Sequence, residues 1–270
     1  MIGDMQKWTP NVAGIIEHAR EIHPKTEIIS RLVSGEIHRS NYEKVCIRSR
    51  KLASALEKDG VKKGDVIATL ALNTYRHLEM YYGISGMGAI THTLNFRLHP
   101  EQAVYIINHA EDKIIFVELP FVPILEALQE NLKTVEKYVV LCEVNEMPET
   151  SLKNVISYEE YIQDGDENYS WPILEDDAAC ALCYTSGTTG NPKGVLYSHK
   201  SNVIHAQAAL TAMTIKPDDT ILMVVPLFHV LAWGIPYFGP MNGLKLVMPG
   251  MQMEGEPLFE LIDQEDVTLA

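Results

Sequence analysis

Between Tyr184 and Gly194 the sequence Tyr-Thr-Ser-Gly-Thr-Thr-Gly-Asn-Pro-Lys-Gly gathers three glycines, four aliphatic hydroxyls and one lysine into eleven residues. Glycine frees backbone N–H groups to converge on phosphate oxygens. The hydroxyls of Thr185, Ser186, Thr188 and Thr189 can donate to the same oxygens or ligate a metal, and Lys193 adds a point charge. This is a cradle for a nucleotide. The common nucleoside-triphosphate loop carries its lysine directly after the last glycine, followed by Ser or Thr, and opens a helix. Here Asn191 and Pro192 intervene. Pro192 and Gly194 also discourage a helix, so Lys193 to His199 is expected as a strand returning from the apolar run Ala178 to Tyr184. A flexible surface linker is the bland alternative, but Gly/Ser linkers seldom join two apolar strands with a lysine at the exit.

The loop resembles the signature of the AMP-forming acyl-CoA synthetase, adenylation-domain and luciferase superfamily. A second block, Pro226-Leu-Phe-His-Val-Leu-Ala-Trp-Gly-Ile-Pro236, is similar to that family's Pro-x-x-His-x-x-x element, in wording most like its fatty-acyl-CoA ligase branch. Asn95-Phe-Arg97 with Leu98, and Tyr105-Ile-Ile-Asn-His-Ala110, agree in the same order, so the resemblance runs from about Ser30 to the end. It implies a reaction in which a carboxylate attacks the α-phosphorus of ATP, pyrophosphate leaves, and the thiol of coenzyme A displaces AMP from the acyl-adenylate. Such chemistry is mostly positioning and charge neutralisation, which suits N–H, O–H and Mg²⁺ rather than a nucleophilic side chain. By this resemblance Ser186, Gly187, Thr188, Thr189, Gly190 and Lys193 contact the β- and γ-phosphates. Thr185 joins them in the ATP site and is the expected Mg²⁺ ligand, since a hard cation prefers oxygen.

The resemblance further implies a chain about twice this long. A Thr-Glu pair holding the metal, a ribose-binding aspartate, a hinge and a small carboxy-terminal domain with a catalytic lysine are expected beyond Ala270. The 270 residues then read as an inactive amino-terminal piece of a fatty-acid–CoA ligase. An aryl-acid ligase, a peptide-synthetase adenylation domain and a non-catalytic binding or assembly module are the alternatives. Homodimer formation is a further implication.

His229 follows a strand expected over Thr220 to Val225, and by resemblance faces the acyl carboxylate and adenylate as the catalytic candidate. A histidine in an apolar stretch is otherwise often a satisfied core residue. On a helix starting at Val230, Trp233 shares a face with His229. In fatty-acyl ligases a tryptophan in a similar context gates the acyl tunnel, although ordinary core packing predicts the same apolar neighbours, Leu231, Ala232, Ile235, Tyr237 and Phe238. Cys180 and Cys183 are expected to be small core residues, because three positions apart on a strand they point to opposite faces. His199 is expected to be structural, beside a helix cap at Ser198 to Ser201. Asn95 and Arg97 could reach a nucleotide or coenzyme A phosphate, yet an Arg after a strand is commonly a surface or lobe-bridging residue, so neither is counted in the expected site.

Composition is consistent with this picture. At 46% hydrophobic and 21% charged, the chain can bury a large core. A net charge of -14 argues against a nucleic-acid surface, which needs clustered Lys and Arg. No apolar run reaches the roughly eighteen residues of a membrane helix, and the start lacks a signal peptide's basic flank and apolar core. A soluble cytoplasmic protein, with peripheral attachment to membranes as the variant, is the expectation.

The elements that must position these residues alternate between strand and helix. Ser40-Asn-Tyr-Glu43 reads as a capping box, with Tyr42, Val45, Ser49, Leu52 and Leu56 at helical spacing after it. Glu27 to Val33 and Glu36 to Ser40 read as a hairpin, and Val66 to Ala71 as a buried strand. Alternation continues through helices at Tyr75 to Gly88, Pro100 to Ala110 and Pro123 to Leu132. This rhythm predicts an α/β fold of βαβ-type lobes with mostly parallel sheets, and ligand loops at the strand carboxyl ends. An acidic irregular stretch from Asn145 to Asp177 suggests a first lobe over 1–175 and an incomplete second lobe over 176–270, with no carboxy-terminal domain in this sequence.

Overall fold

The apolar runs of the sequence form the centres of two largely parallel sheets. The structure, a computed structural model, describes residues 4, 8–185 and 191–270. From the amino end the order is α1 (Val12–Ile22), β1 (Glu27–Arg31), β2 (Ile37–Asn41), α2 (Tyr42–Lys58), β3 (Val66–Leu70), α3 (Tyr75–Gly86) and β4 (Ile90–Thr93). It continues with α4 (Pro100–Ala110), β5 (Ile114–Val117), α5 (Val122–Leu128), β6 (Lys137–Val140), β7 (Val155–Ser157), α6 (Tyr158–Gln163), β8 (Ala179–Thr185) and β9 (Lys193–Ser198). The last elements are α7 (His199–Ala212), β10 (Thr220–Leu222), α8 (Ile235–Met241), β11 (Lys245–Met248) and α9 (Gly255–Gln264).

A seven-stranded sheet runs β7-β6-β5-β3-β4-β8-β9, and a four-stranded sheet runs β10-β11-β1-β2. Every pairing is parallel except the hairpins β1–β2 and β8–β9. The α/β class with mostly parallel sheets is as expected. Both sheets, however, take strands from either side of position 175, so the expected lobe division runs through the sheets rather than between them. Parallel pairing requires the chain to leave a sheet and return by a crossover, and here β8 returns beside β4 and β11 beside β1 from distant sequence.

Between the two sheets lies α3, with all of its residues buried. Its polar members are satisfied internally. Arg76 bonds Glu159 at 2.9 Å and Glu143 at 2.6 Å, while Glu79 accepts from Arg48 at 2.7 Å and from the Tyr158 hydroxyl at 2.8 Å. His77 sits between the Thr69 hydroxyl and the Leu72 carbonyl, each at 3.0 Å, and burial pushes its pKa down to about 4. A buried polar group is tolerable only when paired in this way.

Local boundaries differ from expectation in places with identifiable causes. The cap of α2 is Asn41, whose side chain accepts the Lys44 N–H at 2.9 Å; Ser40 is committed to pairing with Ile28 in β2. The strand expected to reach Val225 ends at Leu222, because the carbonyls of Met223 and Val225 turn to the Asn73 amide at 2.7 and 2.9 Å. Cys180 and Cys183 are buried and free, as their reading as core residues predicts.

Candidate active site

The two stems of the glycine-rich loop form one antiparallel hairpin, with Thr185 opposite Lys193 and Tyr184 opposite Gly194. Thr185 Oγ1 donates to the Lys193 carbonyl at 3.4 Å, and both residues are exposed. The expected strand–loop–strand arrangement is therefore present at its stems. The remaining expected ATP-binding residues, Ser186, Gly187, Thr188, Thr189 and Gly190, lie outside the described residues.

A polar cluster backs the β8 stem. The Tyr184 hydroxyl meets His109 Nδ1 at 2.6 Å, and its ring lies 5.1 Å from that of His92. His92 Nδ1 bonds Asp112 at 2.8 Å, and both side chains are fully buried. Burial raises the Asp112 carboxyl above the ordinary aspartate range, with His92 opposing that shift. His199 is also buried; its Nδ1 accepts the Val12 N–H at 3.3 Å and burial pulls its pKa down to about 4. It anchors α7 against α1, which is a structural role.

His229 leads into a segment the sequence misrepresents. Instead of a right-handed helix from Val230, Val230, Leu231, Ala232 and Trp233 all have positive φ, at 46°, 53°, 48° and 55°, before Gly234 at 82°. Only then does α8 begin. His229 and Trp233 therefore do not share an α-helical face. Leu231 and Ala232 are buried, whereas His229 and Trp233 are exposed, Trp233 to 62%. Left-handed backbone costs an L-residue roughly 1–2 kcal/mol, so a run of four persists only where its surroundings over-determine it. Here the Tyr81 hydroxyl donates to the Leu227 carbonyl, Thr93 Oγ1 to the Phe228 carbonyl at 3.4 Å, and the Tyr82 hydroxyl to the Pro236 carbonyl. Thr93 Oγ1 also lies 3.3 Å from the Cys183 sulfur, two residues before Thr185. The His229 turn is thus seated against the stem of the phosphate loop.

Beside the turn a cleft of about 550 Å³ opens where the carboxyl ends of β3, β4, β10 and β11 converge. Its lining includes Asn73, Phe96, Arg97, Pro226, Gly250, Met251, Gln252 and Glu254. This is where ligands enter open parallel sheets. Among the described residues, Thr185, Lys193, His229 and Trp233 are not part of that lining, although Pro226 connects it to His229 through the His229 N–H bond to the Pro226 carbonyl at 2.9 Å. Gly250 forms one wall with φ of 61°, and a Cβ there would lie 2.2 Å from the Arg31 carbonyl oxygen. Behind Leu72, Glu118 accepts the Leu72 N–H at 3.3 Å, and burial pushes its carboxyl up to about 7.

Sequence reading set Arg97 aside, yet it faces the cleft, its guanidinium 5.6 Å from the Phe96 ring centroid. Asn73, Glu118 and the His92–Asp112 pair carried no local signal. Among the described residues no three His, Cys, Asp or Glu side chains converge as a metal site. The exposed Thr185 hydroxyl is an oxygen donor suited to a hard cation that phosphate groups also hold. No helix among the described residues is long and apolar enough to cross a membrane.

The family model of AMP-binding enzymes matches residues 16–270. The chain belongs to that family. It is 45% identical to a medium-chain-fatty-acid–CoA ligase of Ectopseudomonas oleovorans over 272 aligned residues, covering 100% of this chain and 50% of the relative. Identity is 43%, with the same coverage, to a 3-methylmercaptopropionyl-CoA ligase of Ruegeria lacuscaerulensis. Among solved structures an anthranilate CoA ligase in complex with anthranoyl-AMP superposes with a TM-score of 0.83 at 22% identity, covering 99% of this chain and 50% of that one, which supports the fold. The chain spans about half the length of these curated relatives.

Proposed function

We propose that the protein activates a fatty acid with ATP to an acyl-adenylate and then transfers the acyl group to coenzyme A. The observation that carries this reading is Thr93, whose Oγ1 reaches both the Phe228 carbonyl at 3.4 Å and the Cys183 sulfur at 3.3 Å, two residues from Thr185, so that the acid-facing and phosphate-facing blocks share one support. In this reading Lys193 and the loop from Thr185 to Gly190 hold the β- and γ-phosphates and draw charge onto the leaving pyrophosphate. Thr185 offers its hydroxyl to Mg²⁺, which when bound would neutralise the phosphates as the carboxylate approaches. His229 orients the carboxylate at the α-phosphorus, and Trp233 gates the acyl group. In this reading the metal-binding glutamate, ribose-binding aspartate and catalytic lysine that the resemblance implies are expected from a stretch matching the other half of the relatives' length. The 270 residues by themselves are proposed to release no pyrophosphate.

The test is acyl-CoA formation by the protein extended through the relatives' length, with a panel of carboxylic acids. Medium- and long-chain fatty acids are expected to give the highest kcat/KM, and Trp233→Ala to shift the chain-length preference. Identity to the 3-methylmercaptopropionyl-CoA ligase supports a second reading, a short thioether acid, which a maximum on that acid would select. Preference for aryl acids, or absence of any thioester, would refute the fatty-acid assignment. Assembly as a homodimer belongs to the same proposal; a monomeric mass by light scattering at micromolar concentration contradicts it.

A further inference from the structure

Asn73 makes a junction that no local pattern announces. It is nearly fully buried, at 5% exposure, and follows β3 at the edge of the cleft. Its Nδ2 donates to the Met223 carbonyl at 2.7 Å and the Val225 carbonyl at 2.9 Å, and its Oδ1 accepts the Leu227 N–H at 2.8 Å. Its backbone carbonyl accepts the Gly250 N–H at 3.2 Å. One residue therefore ties the end of β3, in the seven-stranded sheet, to the ends of β10 and β11, in the four-stranded sheet. Both amide protons and the amide oxygen are used, so aspartate, although isosteric, lacks the two donors that this position needs.

We propose that Asn73 is a positioning residue that fixes the His229 turn over the strand ends of the cleft. The strained run Val230 to Trp233 cannot hold its own geometry, and the fixed points nearest its amino end are Leu227 and Phe228. Asn73 takes the Leu227 N–H, so the direction in which the chain reaches His229 is set from the other sheet. The described stems of the phosphate loop pair with each other in β8 and β9, and the side-chain bonds of Asn73 go to Met223, Val225 and Leu227 instead. Loss of Asn73 should therefore displace the acid-facing block while leaving the nucleotide-facing stems in place. The catalytic consequence rests on the function proposed above; the placement does not.

Hydrogen exchange on the 270-residue chain tests the placement. Asn73→Asp should accelerate exchange of the Leu227 and Ala232 amides by about tenfold or more, with the α4 amides unchanged. Thr93→Val, which removes the bond to the Phe228 carbonyl, should produce a smaller acceleration over the same segment, and it serves as the readout if Asn73→Asp does not fold. Unchanged exchange across residues 227–232, or equal acceleration throughout the chain, overturns the inference. In the extended enzyme Asn73→Asp should lower kcat about tenfold or more with KM for ATP held within about threefold, whereas equal changes in both contradict a positioning role. An inactive wild-type enzyme would remove the functional reading, and the exchange result alone would then decide the placement.

Discussion

The left-handed turn before α8 makes a sign prediction that distinguishes it from the helix suggested by sequence. Val230 has φ of 46° and is 46% exposed, so replacing it by Ala or by Gly removes the same two partly solvated γ-methyl groups. The two variants differ only in Cβ and backbone freedom. In left-handed backbone Gly escapes roughly 1–2 kcal/mol of Cβ strain but loses about 0.5–1 kcal/mol in the greater entropy of its unfolded chain. Val230→Gly is therefore expected to be more stable than Val230→Ala by about 0.5–1 kcal/mol. For a chain of this size that corresponds to roughly 1–4 °C in Tm. In a right-handed helix the order reverses, Ala exceeding Gly by about 1 kcal/mol. Ile204, 52% exposed within α7, supplies that control. Urea denaturation followed by circular dichroism measures both pairs. Ala above Gly at position 230 would refute the left-handed turn and restore His229 and Trp233 to one helical face.

Other positions give sharp outcomes. Burial lifts Glu118 from an ordinary value of 4.5 to about 7, so between those values the folded protein keeps a proton that the unfolded chain has lost. Stability from this residue is present below the ordinary value and is lost as pH rises through about 7, a loss of roughly 3 kcal/mol. Glu118→Gln, which still accepts the Leu72 N–H, should flatten the stability profile over that window in urea titrations; a profile parallel to wild type contradicts the assignment. Gly250→Ala places a Cβ 2.2 Å from a backbone oxygen at φ of 61°, and is expected to cost about 3 kcal/mol or more. A shift in Tm of less than about 2 °C would contradict that close approach.

Much of the fold was legible because its signals are local. Val66 to Leu70 is apolar at every position but Thr69, Ser34-Gly35 turns the first hairpin, and Pro100 opens α4, so neighbours alone settle these elements. The hairpin around the phosphate loop was legible for the same reason, since Pro192 and Gly194 forbid a helix there. The Val230 to Trp233 turn was not. Its apolar spacing fits a helix, and its handedness depends on Tyr81, Tyr82 and Thr93, which lie far away in sequence. Asn73 looks like an ordinary turn residue until Met223, Val225 and Leu227 arrive from about 150 positions later. In α3, the charged residues Arg76 and Glu79 carry no local sign of burial, which becomes tolerable only through partners on α2, on α6 and at Glu143.

Isotopic exchange of pyrophosphate into ATP tests the adenylation step without requiring coenzyme A or product release. With the protein extended through the relatives' length and a fatty acid present, exchange should depend on the acid and on Mg²⁺. Lys193→Ala should reduce it by about 100-fold or more. Exchange that is independent of the acid, or undiminished in Lys193→Ala, would contradict the assignment of the Thr185 to Lys193 loop to the pyrophosphate end of ATP.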